Sequence, residues 1–144
     1  MIVVVDASVF VKLFKKEEDS DIARSFIDYM LDRGQGYLAP SLAIYESLSA
    51  ALHIELRLDR VGSLFNEFRE LGLAIEEPTT VELALAEKIA RTAAPGGGYP
   101  TLFDSIYHAM AIERSGLFVT ADKRHFAKAK QFGNVMMLTD WKPA

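Results

Sequence analysis

Four acids stand in unexpected company. Asp6 ends the apolar run Ile2 to Val5, and Glu46 sits inside Ala43-Ile44-Tyr45-Glu46-Ser47-Leu48. Asp104 opens Asp104-Ser105-Ile106-Tyr107-His108-Ala109-Met110, and Asp122 closes Phe118-Val119-Thr120-Ala121-Asp122. Carboxylates are seldom placed among apolar residues unless they are paired or bound to a cation. The chain has no cysteine, so a metal site built here would have oxygen ligands. Oxygen ligands select hard ions, Mg²⁺ or Mn²⁺, which keep waters and act on phosphates. The chemistry such a cluster serves is metal-assisted phosphodiester hydrolysis. Each acid also has a plain structural reading. Asp6 and Asp122 could be helix N-caps, Asp104 a first-turn residue after Thr101-Leu102-Phe103, and Glu46 a solvated helix position. One shared site explains all four with a single cause. Glu46 has a further mark: Leu42, Glu46, Ser49, Ala50 and His53 share its face, with no second acid or Lys at i+4.

These acids need elements that bring them together. Ile2 to Val5 are four β-branched residues in a row, the pattern of a strand buried on both faces of a parallel sheet. Further strands are expected at Tyr37 to Ala39, Leu73 to Ile75, Leu117 to Thr120 and Val135 to Leu138. Between them the patterning predicts helices. Ser8 is a candidate N-cap for a short one over Val9 to Phe14. An amphipathic helix follows over Asp19 to Arg33, with Gly34 as its C-cap. Ser41 caps a helix reaching about Arg57, and Asp59 caps the next, which Gly72 stops. Thr79 or Thr80 caps a helix ending near Ala94. The loop Pro95 to Pro100 has the strongest breaker content in the chain. Phe103 to Arg114 and Lys123 to Gln131 complete the set. Strands alternating with helices predict a three-layer α/β/α sandwich on a parallel sheet with right-handed crossovers. In such sheets the ligand crevice lies beyond the carboxyl ends of the strands. Asp6 and Asp122 fall at that edge.

A length of 144 residues fits one domain, 1–144, with a sizeable core. The apolar start is too short for a signal peptide, and no stretch approaches a membrane span. A cytoplasmic protein without membrane contact is the expectation. The net charge of −4 does not advertise nucleic-acid binding. Holding four acids in a metal site, however, leaves sixteen charges of each sign. Net charge therefore leaves a nucleic-acid substrate open.

With these residues in order, the chain resembles PIN-domain nucleases, and at this length the VapC toxins of toxin–antitoxin pairs. Val5-Asp6-Ala7-Ser8 matches the family's first acid and Pro40-Ser41-Leu42-Ala43-Ile44-Tyr45-Glu46 the second. Asp104-Ser105-Ile106-Tyr107-His108-Ala109 matches the third, and Thr120-Ala121-Asp122 the fourth, including the hydroxyl two residues earlier. The resemblance implies a five-stranded sheet in order 3-2-1-4-5 and a Mg²⁺- or Mn²⁺-dependent endoribonuclease. It also implies metal ligation by Asp6, Glu46, Asp104 and Asp122, most directly by the first and third acids. Ser8 and Thr120 would orient the carboxylates. An RNA substrate, a homodimer and a small VapB-like antitoxin complete the expectation.

Other features compete. His108 could join Asp104 on a metal, or pack in the core. Lys123, Arg124 and His125 could contact an RNA backbone, or form a solvated helix start. Leu48, Leu52, Leu56, Phe65 and Phe68 could make a dimer face, or ordinary core. A receiver domain would need an acid pair after the first strand, and Ala7 follows Asp6. A haloacid-dehalogenase-type phosphatase would need an acid at Ser8. A non-catalytic RNA- or protein-binding module on the same fold and a housekeeping RNA-processing nuclease are the alternatives for function.

Overall fold

A computed structural model describes residues 1–143. Its centre is a five-stranded parallel sheet: β1 (Val3–Val5), β2 (Tyr37–Ala39), β3 (Ala74–Ile75), β4 (Leu117–Thr120) and β5 (Val135–Met137). The order is β3-β2-β1-β4-β5, as expected. β1 lies in the middle, with Val4 opposite Leu38 on one side and Phe118 on the other. Val4 and Val5 are fully buried, which is why this run tolerates no polar residue until it ends.

Among the described residues seven helices surround the sheet: α1 (Ala7–Val11), α2 (Ser20–Arg33), α3 (Leu42–His53), α4 (Leu58–Glu70), α5 (Thr80–Ala90), α6 (Leu102–Glu113) and α7 (Lys123–Ala129). Residues 130–132 and 138–140 form single 3₁₀ turns. The main core joins Val4, Val5, Phe10, Phe26, Met30, Phe65, Tyr107, Phe118 and Leu138.

Local differences from expectation have local causes. Asp6, not Ser8, occupies the N-cap position of α1, so this helix begins two residues early. α3 ends at His53, because the chain turns through Glu55 at φ 58° and the Leu56 amide bonds back to Ala51. α4 starts at Leu58 with Arg57 in the cap position, while Asp59 pairs with Arg57 at 2.6 Å. Gly34 does end α2 in the left-handed conformation, at φ 66°. Gly116 makes possible the entry into β4: a Cβ there would lie 2.3 Å from the Ile2 carbonyl oxygen. Phe65 and Phe68 are core residues, and Leu48 and Leu56 pack against that core. Only Leu52 of the suggested dimer face stands well exposed. No helix among the described residues is long and apolar enough to cross a membrane.

Candidate active site

Asp6 follows β1 directly, and its amide bonds to the Val119 carbonyl at 3.0 Å, which aligns it with the end of β4. Thr120, the last residue of β4, thereby comes beside it. Thr120 Oγ1 and Ser8 Oγ each donate to Asp6 Oδ2 at 2.7 Å. The direction of these bonds is fixed from behind. The Asp122 amide donates to Thr120 Oγ1 at 3.1 Å, and the Ala121 amide donates to Ser8 Oγ at 2.9 Å. A turn of backbone thus points two hydroxyl protons at one carboxylate oxygen, and Oδ1 remains available to another ligand.

Asp6 is nearly fully buried. Burial and then the charge of Asp104 raise its carboxyl to about 7, with Glu46 adding a smaller push. The two hydroxyls oppose the shift without cancelling it. Glu46, on α3, is raised as well, first by burial and then, against the pull of a Tyr107 hydrogen bond, by Asp104. Tyr107 Oη donates to Glu46 Oε1 at 2.6 Å. Asp104 sits in the first turn of α6. The N-cap Thr101 accepts from the Asp104 amide at 3.1 Å and donates to Asp104 Oδ2 at 2.9 Å. Asp6, Glu46 and Asp104 therefore feel one another's charge, and none of them is paired with a Lys or Arg among the described residues.

Asp122 is placed differently. Its Oδ1 accepts from the Arg124 and His125 amides at 2.9 and 3.2 Å, so it caps α7. It is exposed, and its link to Asp6 runs through its own amide and Thr120.

His108 and His125 are interior residues. His108 Nε2 donates to the Gly133 carbonyl at 2.6 Å, and its ring packs on Phe118 and Phe132. His125 Nδ1 lies 3.5 Å from Asp104 Oδ2, with the ring buried against Phe118. Burial lowers both below the ordinary histidine range; Asp104 and Asp122 pull His125 back only in part. His125 is thus withdrawn from the exposed pair Lys123 and Arg124 that precedes it.

Sequence reading missed the roles of Tyr107 and Thr101. The available signals were a Tyr one helical turn after Asp104, and a Thr at the position before α6 begins. Among the described residues, no three Asp, Glu or His side chains stand so as to hold one ion between them. Mg²⁺ is ordinarily held by one or two carboxylates and several waters, and these all-oxygen donors suit that mode. The unrelieved repulsion at Asp6 is what a cation there would remove.

A parallel sheet with helices on both sides, and uncompensated acids beyond its carboxyl edge, defines an α/β/α protein with an acidic group at that edge. The chain belongs to the PIN domain family, whose model matches residues 3–131. PIN domains are in general nucleases. No curated protein matches the chain in sequence. Among solved structures it is similar to FitAB bound to the IR36 DNA fragment, at TM-score 0.68 and 14% identity over 99% of both chains. FitAcB from Neisseria gonorrhoeae aligns at TM-score 0.62 and 17% identity, over 97% of this chain and 100% of that one. PAE2754 from Pyrobaculum aerophilum aligns at 0.61 and 19%, over 96% and 92%. At these identities the likeness establishes the fold.

Proposed function

We propose that this protein is a divalent-metal-dependent endoribonuclease, the toxin of a VapBC-type toxin–antitoxin pair. The observation that carries the reading is the group Asp6, Glu46 and Asp104: three carboxylates gathered from three elements, with Asp6 raised to about 7 and no Lys or Arg paired with it among the described residues. A fold is not stabilised by such a group, so the group has another use. Membership of the PIN family and the likeness to FitAB and FitAcB support the same reading.

Asp6 and Asp104 would hold Mg²⁺ or Mn²⁺ most directly, with Glu46 and Asp122 completing the site directly or through water. Asp122 has one oxygen committed to capping and contributes through the other. When bound, the ion supplies positive charge to a phosphodiester under hydrolytic attack. Ser8 and Thr120 hold Asp6 Oδ2 in place, so that Oδ1 is presented in one orientation. Neither His108 nor His125 is free to deprotonate an RNA 2′-hydroxyl, since both of these rings are buried. Water is therefore the nucleophile, and the products carry 5′-phosphate and 3′-hydroxyl ends.

A small antitoxin covering the acidic crevice would supply an Arg to these carboxylates in place of the ion. A homodimer is part of the same reading, as is a small gene directly upstream encoding a protein with a DNA-binding N-terminus; its absence favours a housekeeping nuclease. The decisive experiment uses end-labelled single-stranded RNA. Cleavage should stop with EDTA and return with Mn²⁺ or Mg²⁺, leaving 5′-phosphates. Cleavage that survives EDTA, or 2′,3′-cyclic phosphate ends, refutes the mechanism. Metal-dependent RNA binding without cleavage would make the protein a binding module.

A further inference from the structure

Tyr107 is the one aromatic hydroxyl joined to the acid cluster among the described residues. Its ring is fully buried and stacks on Phe118 at 5.6 Å and 15°. Phe118 belongs to β4, so the phenol is anchored to the sheet. The hydroxyl then crosses from α6 to α3, over 61 residues of sequence, to reach Glu46 Oε1 at 2.6 Å. Glu46 is the long, flexible member of the acid group, and a Glu side chain loses considerable rotamer freedom when fixed. A phenol is protonated at neutral pH, so the Tyr107 hydroxyl donates to the carboxylate. A ring locked by packing and a hydroxyl that donates make a fixed point for one Glu46 oxygen.

We infer that Tyr107 is a positioning residue for the ion: by holding Oε1 of Glu46 it leaves Oε2 as the oxygen offered to a divalent cation. The inference rests on the metal reading of the acid group. Partners of this kind are worth roughly ten- to a hundredfold in metal affinity.

The test is Mn²⁺ binding to the metal-free protein, followed by calorimetry and by the Mn²⁺ electron paramagnetic resonance signal, with no cleavage assay involved. Tyr107→Phe keeps the ring on Phe118 and removes only the hydroxyl. It should bind Mn²⁺ about tenfold more weakly than wild type, or weaker still. In a Glu46→Gln background, adding Tyr107→Phe should change affinity little, because the residue it positions is already disabled. Wild-type affinity in Tyr107→Phe, or an equal loss with and without Glu46, overturns the inference. Should Tyr107→Phe fail to fold, Glu46→Asp breaks the same hydrogen bond from the other side while keeping the charge. It should bind Mn²⁺ about as weakly as Glu46→Gln; wild-type affinity there overturns the inference too. Failure of the metal reading shows separately, without touching Tyr107: wild type would bind no Mn²⁺, or Asp6→Asn would bind it equally well.

Discussion

The two ends of helix α6 handle buried acid in opposite ways. At its start, Asp104 joins Asp6 and Glu46, and the carboxyls of Asp6 and Glu46 are raised. Just past its end, about 15 Å away at the rise of an α-helix, Arg114 meets Glu82 at 2.7 Å and Glu76 at 2.9 Å. There burial also opposes the charge on Glu82, yet the Arg114 hydrogen bonds and the Thr79 cap outweigh it, and Glu82 is lowered. The second cluster is finished: each charge has its partner, and it ties α5 to α6. The first is unfinished. The protein has the chemistry to neutralise buried acids and does not apply it at the carboxyl edge, where the proposed cation would do so.

The largest expected effect separates the two ends by activity. Asp6→Asn and Asp104→Asn should each reduce RNA cleavage by about a thousandfold or more, the scale of losing a few kcal/mol of transition-state stabilisation. Both should keep a native far-ultraviolet spectrum. Glu76→Gln, at the finished end, should cleave at nearly the wild-type rate. Equal losses at both ends would erase the functional distinction.

Next in size is the pH dependence of the metal-free protein. Asp6 sits at about 7 folded against 3.8 when unperturbed. Between these values the folded state binds more protons than the unfolded one, so this contribution to stability falls as pH rises from about 4 to about 7. The difference between these two values corresponds to about 4 kcal/mol at most. Glu46 acts in the same direction. Glu82 acts in the other, losing stability as pH falls below the ordinary carboxylate range. His108 and His125, lowered by burial, oppose this below the ordinary histidine range, so the readout is the difference between two proteins that share them: from pH 5 to pH 8, chemical denaturation should show wild type losing stability relative to Asp6→Asn. Saturating Mn²⁺ should restore much of the wild-type loss at pH 8 and little in Asp6→Asn. A difference between wild type and Asp6→Asn that stays constant from pH 5 to 8 would contradict the raised carboxyl.

Third is the finished cluster itself. Arg114→Met removes the partner of Glu82, whose side chain is only 4% exposed. Leaving a buried charge unpaired costs about 3 kcal/mol. The measurement is urea denaturation at neutral pH, and Arg114→Met/Glu82→Met should recover much of the loss. A loss below about 1 kcal/mol would show that Arg114 is a surface pair and nothing more.

The acids and strands were legible in sequence because each is marked by its own type. Four β-branched residues and then an Asp state a buried strand and its end; Glu46 among Ile44, Tyr45 and Leu48 states an acid in apolar surroundings. Partnerships across the fold were not legible. Tyr107 reads as one more apolar residue in α6 until Glu46, 61 residues away, is set against it. Arg114 pairs with Glu82 only because α5 packs along α6. His125 reads as part of a basic run, and only the turn of α7 shows that it faces inward while Lys123 and Arg124 face out. Ser8 reads as a cap because it precedes an apolar run. Asp6, two residues earlier, takes the cap position, which frees the Ser8 hydroxyl to serve the carboxylate.

The smallest effect gives the sharpest version of the comparison, because the same residue type caps the helix at each cluster. Thr79 accepts from the Glu82 amide at 3.1 Å, and Glu82 returns a bond to the Thr79 amide at 2.9 Å. Thr101 accepts from the Asp104 amide at 3.1 Å and itself donates to Asp104 Oδ2. As caps the two are equivalent, and Thr→Ala at either should cost about 1 kcal/mol in denaturation experiments. Their second roles differ. Glu82 keeps Arg114 when Thr79 is lost, so Thr79→Ala should leave cleavage unchanged. Asp104 loses the hydroxyl that fixes Oδ2 when Thr101 is lost, so Thr101→Ala should also cleave RNA roughly tenfold more slowly. Thr101→Ser, which keeps the hydroxyl, should restore both stability and rate. If Thr101→Ala loses stability but no activity, Thr101 is a cap only, and the orientation of Asp104 is held by α6 without it.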